Sequence, residues 1–170
     1  MEVNLDRTSS WRRRARRAAA GLLLVAAAGG VRSVSAGEAG VDVVVRVSWN
    51  RERAERVSGV VTRVQYPKSL ALETDPRDGS AKGHVERLTT SSGGLFDALV
   101  KDTDGDGAPD LLSVGLITPG IEPGDFVRIH FARSPGAASP DGATFGCVAD
   151  VADGSGAVPA TCSATIVAAR

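Results

Sequence analysis

The chain has 170 residues, with 20 basic and 20 acidic side chains, 42% hydrophobic residues and only 4% aromatic ones. A formal net charge of zero gives no basic footprint for nucleic acid. The even charge balance also conceals an uneven distribution along the chain.

Residues 7–17, RTSSWRRRARR, carry six arginines, and the apolar run AAAGLLLVAAAGG follows at 18–30. Next comes VRSVSAGEAG, with small residues at Ser35 and Ala36. Charged, apolar and small-residue regions in this order form the plan of a secretory signal peptide, with cleavage expected after Ala36. The apolar run is shorter than the about 20 residues that a bilayer span needs. An uncleaved N-terminal anchor is the alternative. Paired arginines fit the twin-arginine route, and general export fits equally. Residues 1–36 hold seven of the basic and two of the acidic side chains, so 37–170 carries 13 basic and 18 acidic, a net charge of −5. The expectation is one mildly acidic exported domain over 37–170, secreted or held in the cell envelope. It has no transmembrane segment and no nucleic-acid partner.

Past the leader, the chain reads as strands and turns. In VDVVVRVSWN (41–50), Val41, Val43, Val45, Val47 and Trp49 share one face, the period-two alternation of a half-buried strand. RERAER (51–56) is a charged loop or one helical turn. In VSGVVTRVQYP (57–67), Val60, Thr62, Val64 and Tyr66 share a face, and Pro67 ends the ladder because it has no N–H to donate. SLALE (69–73) is a short strand, and TDPRDGSAKG (74–83) is a loop by its Pro, Gly and Asp content. Further strands are expected around 85–89, 95–100, 110–118 and 125–132, with PGIEPG (119–124) as the turn between the last two. In the strand over 125–132, Val127, Ile129 and Phe131 face inward while Arg128 and His130 face out. SPGAASPDGA (134–143) is a loop, and TFGCVADV and ATCSATIVA form a closing hairpin around ADGSGAVP. Short strands separated by Gly, Pro and Asp turns predict an all-β antiparallel sandwich or jelly roll.

Both cysteines, Cys147 and Cys162, fall in the exported part. An even pair in an oxidising compartment reads as a disulfide, here across the closing hairpin; two buried thiols are the alternative.

The order of these signals resembles the bacterial cohesin-like domain of the cellulosomal type, of the β-sandwich superfamily that also holds carbohydrate-binding modules. The stretches VDVVVRVSW, VSGVVTRVQYPKSLALE, LLSVGLITPGIEPGDFVRIHFA and GATFGCVADVADGSGAVPATCSATI carry the resemblance, over about residues 40–167. It implies a jelly roll of about nine strands and a non-catalytic binding or scaffolding role, with a dockerin-like or cell-surface protein as partner. A module that recognises a soluble polysaccharide is the second reading.

DTDGDGAPD places Asp102, Asp104, Asp106 and Asp110 at positions 1, 3, 5 and 9 of a D-x-D-x-D-G-x-x-D pattern. Calcium takes six to eight oxygens, and carboxylates at alternate positions of a tight loop converge on one centre. Gly107 permits the bend, and the carbonyl of Ala108 can fill position 7. Ser113 stands where an EF-hand has its closing Glu, so the loop resembles instead the nine-residue calcium loops of β-rich extracellular proteins. Carboxylates this close repel one another without a cation. An Asp-Gly hairpin turn is the competing reading.

No catalytic set stands out. The two histidines, His84 and His130, have no Ser or Cys motif or metal spacing near them, and nothing selects an acid pair for glycoside hydrolysis. Trp49, Tyr66 and Phe131 are expected inside, which leaves Phe96, Phe126 and Phe145 as candidates for an outward aromatic.

Overall fold

The structure is a computed structural model, described over residues 40–53, 56–91, 93–133 and 145–167. The expected leader at 1–36 and loop at 134–143 lie outside the described residues. Among the described residues ten strands run in order: β1 Val41–Trp49, β2 Val57–Gln65, β3 Leu70–Ala71, β4 Val85–Arg87, β5 Leu95–Lys101, β6 Leu111–Ile121, β7 Gly124–Arg133, β8 Gly146–Asp153, β9 Gly156–Val158 and β10 Ala160–Val167. Single 3-10 turns occupy Arg51–Arg53 and Lys82–His84. The protein is an all-β antiparallel sandwich, as the alternation predicts.

One sheet has the order β10-β1-β7-β3, with β4 also paired to β7, and the other is β5-β6-β2-β8-β9. Alternation puts one face of each strand into the space between the sheets. Val41, Val43, Val45 and Val47 of β1 meet Val127, Ile129 and Phe131 of β7 there, and Val60 and Val64 of β2 meet Leu112, Val114 and Leu116 of β6. Phe131 bridges Tyr66 and Phe145, with ring centroids 4.9 and 5.9 Å away. Such tilted pairs contribute about 0.5–1.5 kcal/mol each beyond their burial.

Two irregularities overturn details of the sequence reading. Opposite β1, the pairing steps from Val45↔Val127 to Arg46↔Asp125, so Phe126 is a bulged extra residue. The bulge resets the alternation, and Phe126 and Val127 both point inward, with Phe126 only 3% exposed. Phe96 and Phe145 pack against the core as well, so none of the three outward candidates forms an aromatic platform. The second irregularity lies at 119–124, expected to be a turn. There β6 continues to Ile121 and only Glu122 and Pro123 separate it from β7. The β2–β6 ladder breaks between Gly59↔Ile117 and Val57↔Ile121, so Ser58 alone stands opposite 118–120. Pro119 is tolerated there because the bulge asks no N–H of it, and Gly120 takes φ 73°.

The closing hairpin is also corrected. β8 turns at Asp153–Gly156 to pair with the short β9, whereas β10 pairs with β1 in the opposite sheet. Pro159, between β9 and β10, cannot donate to a ladder, and the chain crosses between the sheets there. The disulfide Cys147–Cys162 therefore ties one sheet to the other instead of spanning a hairpin. Its Cα atoms lie 5.4 Å apart, within the usual range for a bridge.

Candidate functional sites: an acidic loop and an apolar sheet face

The acidic loop joins β5 to β6. Asp110 N–H donates to the Lys101 carbonyl at 3.1 Å, and Tyr66 N–H donates to the Asp110 carbonyl at 2.9 Å, which pins the loop base to the end of β2. Inside the loop, Asp102 acts as the hub. Its two oxygens accept the N–H groups of Gly105 and Gly107, each at 2.7 Å. Gly107 holds φ 89°, a left-handed conformation that glycine adopts without strain. These amides, Gly107 first, hold the Asp102 carboxyl below its ordinary value. Asp106 accepts from Ala108 N–H at 2.9 Å.

Asp102, Asp104 and Asp106 offer oxygens that all lie within 4.8 Å of one another. Asp110 stands outside that group. It is 6% exposed, and its carboxylate accepts Thr103 N–H at 2.9 Å and Thr103 Oγ1–H at 2.6 Å. Of the expected ligand set, three carboxylates converge, Ala108 enters through its N–H, and Asp110 braces the loop.

Sequence reasoning missed the counter-charge. Lys68, in the turn between β2 and β3, sends its ammonium to Asp104 Oδ2 at 2.6 Å and to Asp106 Oδ2. The two carboxylates raise the Lys68 pKa well above its usual value. The only sequence signal is a lysine beside Pro67, at the end of the strand that the loop base pairs with. The three carboxylates lie close enough together to hold a hard cation, and the Lys68 ammonium already occupies two of them.

The second feature is the outer face of the β5-β6-β2-β8 sheet. The exposed large hydrophobic side chains among the described residues, Val61, Leu95, Leu99, Ile117 and Val148, all fall on it by register. Leu95 and Ile117 are direct cross-strand neighbours, 67% and 60% exposed. Gly59, Ser113 and Gly115 keep the middle of the face low. The Arg63–Asp150 pair (2.6 Å) lies among these side chains, next to Val61 and Val148, and Asp97, paired to Lys82 at 3.1 Å, lies between Leu95 and Leu99. The outer face of the other sheet differs in kind, with Asp42–His130 at 2.8 Å, and Glu86–Arg128 and Arg46–Asp125 at 2.7 Å each. His84 lies 3.8 Å from Glu73. No helix among the described residues is long and apolar enough to cross a membrane.

No family model matches the sequence, and no solved structure matches it. Among curated proteins, the chain is similar to the ribosomal RNA large subunit methyltransferase E of Haloquadratum walsbyi (strain DSM 16790 / HBSQ001), 35% identical over 99 residues. That alignment covers 54% of this chain and 38% of that protein. The shared stretch is a minority of the relative, and it does not carry the relative's activity to this chain.

Proposed function

We propose that this protein is an exported, non-catalytic binding or scaffolding module of the cohesin-like kind, which docks a protein partner on the outer face of the β5-β6-β2-β8 sheet. The observation that carries the reading is the gathering of Leu95, Leu99, Ile117, Val61 and Val148 on that one face. Isolated surface hydrophobics need no explanation, but five on one sheet face, interspersed with the Arg63–Asp150 and Lys82–Asp97 pairs, offer a partner both apolar contact and charge. The disulfide fits an oxidising compartment outside the cytoplasm. The test is capture from culture fluid and cell envelope with the parent protein and with Ile117→Asp. A specific partner is retained by the parent and lost by the variant, while both melt alike. Equal capture by the two removes this face from the reading.

The acidic loop complements that role as a structural calcium site formed by Asp102, Asp104 and Asp106, with Lys68 giving way to the ion. Bound metal stabilises the folded state by mass action, about 2.7 kcal/mol at a hundredfold excess over the dissociation constant. Extracellular sites of this type often bind at roughly 0.1–1 mM. Millimolar calcium should raise Tm, Asp104→Ala should abolish the rise, and Lys68→Met should enlarge it by removing the competing cation. A Tm indifferent to calcium in both the parent and Lys68→Met leaves the loop an ion-paired turn.

A further inference from the structure

Trp49 is the last residue of β1, and its indole is half-buried at an open end of the sandwich. Trp49 helps line two concave surfaces. One, of about 470 Å³, is lined by Trp49, Arg51, Arg56, Glu122 and the prolines of the bulged β6–β7 connection. The other, of about 350 Å³, is lined by Trp49 with Asn50, Pro159 and Thr161. Volumes of this size suit small ligands.

The chemistry of the larger cleft is specific. Arg51 and Glu122 pair at 2.7 Å, which fixes an acceptor beside a donor. Arg56 has no ion-pair or hydrogen-bond partner among the described residues. The named cleft residues therefore carry two guanidiniums against one carboxylate, a local positive excess in a domain whose exported part is −5 overall. Pro119, Pro123 and Pro159 supply stiff apolar rims and no N–H groups, so these rim positions give no donor to an extended peptide backbone. An indole face beside donors and acceptors matches a pyranose, which presents C–H groups on its face and hydroxyls around its edge. A free guanidinium matches a carboxylate, which it binds through two parallel hydrogen bonds.

We infer that the larger cleft beside Trp49 binds an acidic saccharide, a uronate-bearing glycan whose sugar ring stacks on the indole while Arg56 holds the carboxylate. The site shares no residue with the apolar face of the second sheet, so failure of either leaves the other standing.

The full chain carrying Trp11→Phe makes Trp49 the sole tryptophan. Its emission is titrated with oligogalacturonate, with a neutral cello-oligosaccharide and with polyglutamate, and calorimetry runs alongside for binding that leaves emission unchanged. The expected result is saturable binding of oligogalacturonate, at least about tenfold tighter than of the neutral sugar, the scale of one charge-assisted contact. Arg56→Glu, an exposed substitution that leaves the core intact, should erase that preference at unchanged Tm. The inference is overturned if oligogalacturonate does not saturate by either readout, if polyglutamate binds as tightly, or if Arg56→Glu retains the preference.

Discussion

Tyr66 is the sole tyrosine of the chain and lies 3% exposed at the end of β2. Burial, together with the nearby charge of Asp110, pushes its phenol up to about 12 from an ordinary value near 10. A native pKa raised above the unfolded one means that the folded state holds the proton more tightly. That contribution is complete below about pH 10 and is lost as the pH climbs towards 12. By about pH 11 the loss is on the order of 1.4 kcal/mol, and the full displacement corresponds to roughly 3 kcal/mol. The hydroxyl also has no hydrogen-bond partner among the described residues. Tyr66→Phe keeps the ring against Phe131 and removes the group. The variant is expected to be at least as stable as the parent at neutral pH, and more resistant to alkali by about 1.4 kcal/mol near pH 11. Urea unfolding of both proteins from about pH 8 to 11 measures the difference, and phenolate absorbance follows Tyr66 alone. A phenolate midpoint near 10 in the folded parent, or alkaline loss equal in both proteins, would refute the reasoning.

Thr62 is fully buried on the same face of β2, and its Oγ1 also lacks a partner among the described residues. Thr62→Val, of the same shape, is expected to stabilise by about 1 kcal/mol in urea unfolding. Gly94, just before β5, has φ 85°, and a Cβ there would come within 2.4 Å of the Ile117 carbonyl oxygen. Gly94→Ala should therefore cost roughly 2–4 kcal/mol by thermal or urea melting. Replacing both Cys147 and Cys162 by Ser should remove about 3 kcal/mol, with the parent in reductant falling to match.

The strands were legible because one face of each is buried and the other wet, and that contrast imprints period two on the sequence. Val41 to Trp49, and Val60 to Tyr66, show it without interruption. What was not legible depends on contacts between distant residues. Cys147 and Cys162 look like partners in a hairpin because they are close in sequence, yet strand pairing puts them in opposite sheets. Phe126 reads as outward by strict alternation until the bulge opposite Val45 and Arg46 inserts an extra residue. The aspartates of the acidic loop are visible in the sequence, but their counter-ion comes from a lysine 36 residues from Asp104. Trp49 alternates inward correctly, but its position at the very end of β1 leaves its ring facing a cleft, and alternation carries no information about ends.

The antiparallel pairing of β1 with β10 places Asp42 beside Val167, so the two ends of the domain leave from the same corner. Tension between those ends would act on their shared hydrogen bonds one after another, like a zipper, and not on the whole row at once. Peeling from Val167 would release β10 only as far as Cys162. There the sulfur bridge hands the load to β8 and the other sheet. The disulfide therefore limits the peeling of β10 to a short, bounded extension of about five residues at its end.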